Sequence, residues 1–260
     1  MRKTAIILFI LFFLLTLSYE IIQFLISERI RKELVKVNVM VKHVSVSLLQ
    51  GKVKIKNMEG KDKWINWKVK NLRVRFNPVG FLRERSIEEM TVKGLDLRVH
   101  FPPPPSDPIL PYIKKLRIEE GNFSLLLRRG ELKGKIRGEV SNLGEGKKAE
   151  FRLKGWISSS PFEVEGKFSL PRPDDFMEWK GNIKFFPYEV LVREFKISLP
   201  PGFSFLEDSG VLFQGRVKEG VSQMSFFWEG VFLGKKKRFS LLWEGEWGRE
   251  GKFSFSWEER

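Results

Sequence analysis

The sequence predicts a mainly β protein in which an N-terminal transmembrane helix is followed by an elongated, curved antiparallel β-sheet, a groove or an open barrel. Three observations predict it. An uninterrupted apolar run occupies the first residues, apolar and charged residues then alternate with period two, and turn-forming residues punctuate that alternation at regular intervals.

The apolar run extends from Thr4 to Ile26, with Glu20 as its only charge. A helix of about 20 apolar residues crosses the hydrocarbon layer, so the run reads as an anchor. A cleaved signal peptide is the competing reading, because Arg2 and Lys3 form a basic start and Thr16-Leu17-Ser18 is a tolerable cleavage site. The run continues past that site through Ile21, Ile22, Phe24, Leu25 and Ile26, which favours an anchor that is kept. Arg29, Arg31, Lys32 and Lys36 follow it, so flanking charge does not fix its orientation.

Strands are expected at Lys52–Lys56, Lys68–Phe76, Leu95–Phe101, Phe151–Ile157, Phe162–Leu170, Val211–Val217, Phe226–Phe232 and Phe253–Trp257, within a meander of about a dozen strands. Gln50-Gly51, Arg129-Gly130, Gly144-Glu145-Gly146, Glu219-Gly220 and Gly234-Lys235 supply turns. A single helical turn is expected after Pro187. The run from Pro102 to Pro108 cannot donate ladder hydrogen bonds and is expected to be an extended connector. The expected organisation is therefore an anchor with helical extension over 1–36, a basic membrane-proximal β module over 37–101, a Pro-rich connector over 102–112 and a β-groove body over 113–260.

An apolar-x-Gly-x-apolar pattern recurs at Gly138, Gly155, Gly166, Gly181, Gly215, Gly230 and Gly245. On a strand each glycine shares its face with the apolar residues two positions away, so all seven point at the apolar side. Glycine weakens a strand unless a bend or a close approach needs the missing side chain. These residues either line a trough able to admit an acyl chain or bend a closed barrel or sandwich. In the first case the lining is Phe168, Trp179, Ile183, Phe213, Trp228, Phe232, Trp243 and Trp247.

The chemistry of the chain is sparse. With no cysteine there is no disulfide framework, thiolate metal site or thiol nucleophile. His43 and His100 each sit in a strand pattern without a carboxylate partner nearby in sequence. The acid pairs Glu88-Glu89, Glu119-Glu120, Asp174-Asp175 and Glu258-Glu259 are neighbours, which on a strand face opposite ways. Gly144-Glu145-Gly146-Lys147-Lys148 lacks the upstream glycine and the hydroxyl residue of a phosphate loop and reads as a hairpin turn. No catalytic residue, metal or cofactor is expected, and the chain reads as no enzyme.

Lys and Arg number 47 against 32 acids, a formal charge of +15, which favours anionic partners. Residues 29–100 hold 18 of the cations and 7 acids, with Trp64, Trp67 and Phe76 interleaved. Next to an anchor this excess suits phospholipid headgroups better than nucleic acid, with a merely solvated face as the bland alternative. Arg29, Arg31, Lys32 and Lys36 are the headgroup-contact candidates.

Several phrases carry a family resemblance: Val44-Ser45-Val46-Ser47-Leu48-Leu49-Gln50-Gly51-Lys52-Val53-Lys54-Ile55, then Val69-Lys70-Asn71-Leu72-Arg73-Val74, then Phe81 to Leu97, and Ile113 to Phe123 after the prolines. With the anchor before them, they resemble the AsmA-like superfamily of envelope proteins, whose larger members are bridge-like lipid-transfer proteins. The resemblance implies a single-pass inner-membrane anchor and a body facing the periplasm. It also implies a non-enzymatic role handling phospholipid or another acyl-chain lipid, in envelope lipid transport or homeostasis. The chain is shorter than such bridges. A second reading is an assembly subunit, similar to the small inner-membrane N component of type II secretion systems. The strand Lys252–Trp257 would then pair at its open edge, with an identical or a different subunit.

Overall fold

A computed structural model describes residues 2–62, 65–78, 86–100, 112–127, 130–144, 146–157, 160–169, 177–184, 202–205, 210–218, 221–246 and 251–259. The side chains of residues 2–14 are outside what it describes, as are those of some strand residues. Among the described residues one helix, α1 (Arg2–Lys36), precedes fourteen strands. These are β1 (Val39–Ser47), β2 (Lys52–Lys61), β3 (Ile65–Arg75), β4 (Ser86–His100), β5 (Tyr112–Leu127), β6 (Gly130–Leu143) and β7 (Lys148–Ile157). They continue as β8 (Ser160–Ser169), β9 (Met177–Lys184), β10 (Phe203–Phe205), β11 (Val211–Lys218), β12 (Val221–Phe232), β13 (Lys235–Glu246) and β14 (Gly251–Glu259).

All fourteen belong to one sheet that does not close. Thirteen follow each other in chain order, and β10 attaches beside the path, on β12. Chain-order pairing follows from the short connections, since period-two segments joined by a few residues fold back on each other as hairpins. Among the described residues a strand is present at every segment named from sequence, and the expected dozen becomes fourteen.

The sheet is not antiparallel throughout. β4 and β5 run parallel, from Ser86 opposite Tyr112 to His100 opposite Leu126. The expectation of an antiparallel sheet is corrected here to a mixed one. Parallel neighbours need a crossover rather than a hairpin, and the connection between them is the proline-rich segment, which lies outside the described residues. So does the helical turn expected after Pro187. The sheet itself is continuous across that connection.

α1 is the helix expected from the apolar run. Leu15, Leu17, Ile21, Ile22, Phe24 and Leu25 on it are exposed. Among the described residues no helix is long and apolar enough to cross a membrane. The end of α1 returns to the sheet: Leu34 packs on the cluster of Val41, Ile55, Met58 and Val69. The Leu49 amide donates to the Tyr19 hydroxyl at 3.2 Å. A second cluster joins Ile87, Ile113, Val140, Leu143 and Ala149, with Phe151 and Phe168 against it. Both clusters lie on the same side of the sheet.

Left-handed residues keep apolar side chains on that side where the two-residue period slips. Asn57, at φ 52°, separates Ile55 from Met58, and Gly94, at φ 68°, separates Val92 from Leu95. A register shift in β5 likewise sets Ile118 and Gly121 three apart, with the exposed Glu119 and Glu120 between them. Each slip inserts a residue without turning the apolar set over, which is what a bulge does to a strand.

Candidate functional site

Directly paired residues of neighbouring strands project to the same face, so the register can be followed across the whole sheet. One row begins at Val46 and passes through Val53, Val74, Met90, Leu116, Val140 and Phe151. It continues through Gly166, Gly181, Phe213, Phe226 and Leu241 to Phe255. Every residue in this row, one from each of the thirteen strands, is apolar or glycine.

A parallel row on the same face reads Val44, Ile55, Leu72, Val92, Ile118, Gly138, Leu153, Val164, Ile183 and Val211. Beyond the bulges a third reads Val41, Met58, Val69, Leu95, Gly121, Ile136, Gly155 and Phe162. The chain thus builds a lane of apolar side chains running perpendicular to its strands.

The opposite face is polar over most of its length. One of its rows runs Ser45, Lys54, Arg73, Thr91, Arg117, Glu139, Arg152, Glu165 and Asn182. Exposed ion pairs stud this face, among them Lys115–Glu139 at 2.9 Å and Arg152–Glu165 at 3.6 Å. The Lys115 ammonium, hydrogen-bonded to Glu139, holds that carboxyl below the usual carboxylate range. Trp156, Leu212 and Leu242 are exposed apolar exceptions on the polar face.

All seven glycines named from sequence lie on the apolar face. Gly138 stands between Ile118 and Leu153, and Gly155 between Ile136 and Phe162. Gly166 and Gly181 are paired with each other, and Gly215 stands between Trp179 and Met224. Gly230 is opposite Lys237, and Gly245 is opposite Ser222 and Gly251.

Sequence reasoning missed what occupies the space above them. The Trp179 ring lies over Gly215, and a Cβ on Gly181 would meet Phe213 Cζ at 2.7 Å. A Cβ on Gly166 would meet Phe151 Cζ at the same distance, and one on Gly60 would meet the Trp67 ring at 2.5 Å. These ring–glycine partners face each other in register. Gly60 and Gly215, whose nearest neighbours are ring atoms, are seats for neighbouring aromatic rings, the arrangement in which an aromatic covers a strand glycine. Backbone also closes on several of them: the carbonyls of Arg152 and Lys135 approach Gly138 and Gly155, and those of Lys180 and Glu165 come nearer to Gly166 and Gly181 than the rings do.

Of the residues expected to line the face, Phe168 is opposite Ala149 and Trp179, and Ile183 is opposite Val164 and Val211. Phe213 rests near Phe151, ring centroids 6.5 Å apart. Trp228 stacks on Phe239 at 5.9 Å and 19°, and Phe239 stacks on Phe255 at 5.9 Å and 20°. Phe232 approaches Trp257 at 6.1 Å, and Trp243 is buried opposite Met224. Trp247 lies outside the described residues. Phe239 is only 2% exposed and carries this aromatic cluster, although the glycine pattern did not single it out.

Two open hollows flank β8, β9 and β11. One, of about 630 Å³, is lined by Gly166, Gly181 and Phe213 together with Lys167, Lys180 and Arg238. The other, of about 710 Å³, is lined by Phe168, Trp179 and Gly215 with Lys148, Lys180 and Arg216. Glu165 lines the first and Glu178 the second, and most of the lining belongs to the polar face.

Arg29, Arg31, Lys32 and Lys36 are exposed on α1. Arg31 pairs with Glu28 at 3.6 Å and Lys36 with Glu33 at 2.7 Å. His43 and His100 are exposed, and among the described residues no cluster of His, Asp or Glu could hold a metal ion. No family model, curated protein or solved structure matches the chain.

Proposed function

We propose that the chain is a membrane-anchored, non-enzymatic protein that holds phospholipid or another acyl-chain lipid along the apolar face of its sheet, as an AsmA-like envelope protein would. The observation that carries this reading is the unbroken apolar row from Val46 to Phe255. Thirteen strands at about 4.8 Å spacing give it a length of about 58 Å. Burial contributes about 0.8 kcal/mol per CH₂ group, so an acyl chain laid across the rows is held without any directional bond.

Further support comes from the single layer. Among the described residues no second sheet or helix covers the apolar face beyond the contact of α1 with the first strands, and an apolar face of this extent marks a binding surface. The anchor is the run Thr4–Ile26, contained within one helix on which Leu15, Leu17, Ile21, Ile22, Phe24 and Leu25 are exposed. Bowing of the sheet around the lipid would complete a trough facing the periplasm.

Phe226 and Phe227 provide the test, since they are chain neighbours on opposite faces. The full chain would be extracted in mild detergent and its bound lipid measured by native mass spectrometry and phosphorus assay. Phe226→Glu should lose most of the lipid that wild type retains, and Phe227→Glu should retain it. Equal lipid in the two variants, or a wild type carrying none, would sink the proposal and leave the assembly-subunit reading.

A further inference from the structure

The two ends of the sheet are finished differently. At β1 the helix α1 lies alongside, held by Leu34 and by the Tyr19–Leu49 hydrogen bond, and a helix beside an edge hinders strand addition. At the other end β14 is paired with β13, and among the described residues nothing pairs with its far side. The lane reaches that edge with Phe255 47% and Trp257 51% exposed.

The sequence of β14 is complementary to itself. Lys252-Phe253-Ser254-Phe255-Ser256-Trp257-Glu258, laid antiparallel on a second copy about Phe255, sets Lys252 opposite Glu258, Phe253 opposite Trp257 and Ser254 opposite Ser256. Every match occurs twice, as the symmetry of an isologous interface requires. The charges also continue the pattern already present, because Glu244 faces Lys252 and Arg238 faces Glu258 across β13 and β14. The four strands of the junction then read Glu244, Lys252, Glu258, Arg238, alternating in sign. A strand chosen to fit a foreign partner would have no reason for its two halves to match.

We propose that β14 pairs with β14 of a second copy of this chain, antiparallel and centred on Phe255, so that two sheets become one. Residues directly opposite in such a pair project to the same face. The two apolar lanes therefore meet at Phe255 and form one lane about twice as long, with an α1 helix at each far end. The pairing does not depend on lipid being bound.

The chain has no cysteine, so introduced thiols report register directly. In membranes of the expressing cell, before extraction, Phe255→Cys should give a disulfide-linked dimer, because opposite residues stand about 4.5–5.5 Å apart, within disulfide reach. Ser254→Cys alone, two positions off its mate, should link at least about tenfold more slowly. Ser254→Cys and Ser256→Cys chains with different tags, expressed together, should link to each other rapidly. Absence of a dimer with Phe255→Cys, equal linking by Ser254→Cys alone, or an adduct with the mass of a different protein would each overturn the proposal. A second readout is mass in mild detergent. Wild type and Phe255→Leu should be dimers, and Phe255→Lys, which opposes two cations on the dyad, should lower the dimer fraction about tenfold. A Phe255→Lys chain that dimerises like wild type would refute the register.

Discussion

Replacing Gly60 by Ala in the presence and absence of the Trp67 ring tests whether the glycines of this sheet serve as seats for rings. A Cβ on Gly60 would lie 2.5 Å from the ring, whereas ordinary contact begins at 3.4 Å. The indole must therefore withdraw by about 1 Å from a site where it also packs against the Val41–Met58–Val69 cluster. Overpacking of this kind costs about 1–3 kcal/mol, and the reduced freedom of the unfolded chain returns about 0.4–1 kcal/mol of it. A net loss of about 1–2 kcal/mol corresponds to a fall in melting temperature of about 3–6 °C for a chain of this size. In a Trp67→Ala background the obstacle is gone, so the same Gly60→Ala change should be neutral or stabilising. The coupling between the two positions should be about 1–2 kcal/mol. Thermal unfolding of the four full-length chains, followed by circular dichroism in one detergent, measures it. Equal destabilisation by Gly60→Ala in both backgrounds would show that the backbone, not the ring, requires glycine there.

Gly155→Ala should cost more than Gly60→Ala, with no rescue by truncating any neighbouring side chain, because its obstacle is the Lys135 carbonyl; rescue by such a truncation would refute this. Glu139→Gln should change stability at pH 7 by less than about 1 kcal/mol, since Lys115–Glu139 is an exposed pair. The pair lowers the folded-state pKa of Glu139, so its contribution is full above the unfolded carboxylate value and is lost as pH falls through the folded one. The small gap between wild type and variant should close in acid; a gap that widens there contradicts the assignment. Among the described residues Arg29 and Lys32 form no ion pair like Arg31–Glu28 and Lys36–Glu33, so they should dominate headgroup contact. Arg29→Gln with Lys32→Gln should reduce the share of anionic lipid co-extracted with the full chain, by lipid mass spectrometry, more than Arg31→Gln with Lys36→Gln; equal shares would count against that contact.

Period two in residues such as Lys52-Val53-Lys54-Ile55-Lys56 made strand identity and facing legible, because one wet and one apolar side leave little choice of which residues turn inward. The glycine pattern was legible for the same reason. The pairing of Gly215 with Trp179 was not, since it depends on a register between strands 36 residues apart, and alternation within a strand carries no information about its neighbour. The parallel β4–β5 pair was hidden likewise: Ser86–His100 alternates in the same way whichever direction its neighbour runs. The slips at Asn57 and Gly94 were missed because a left-handed residue restores the apolar facing that the sequence pattern breaks. Phe239, buried at the centre of an aromatic stack, looked like any other apolar strand residue before Trp228 and Phe255 were placed against it.

Among the described residues thirteen strands follow the order of the chain, and each is hydrogen-bonded only to the strands beside it, with a few rings such as Phe151 and Phe213 reaching further across the glycines. Such an architecture is quasi-one-dimensional, with stability accumulating as nearest-neighbour increments rather than from a single central core. Folding can then advance like a zipper from the helix outward, each new hairpin templated by the last. Adding or deleting a hairpin in mid-sheet would change the reach of the molecule while leaving both of its ends chemically intact.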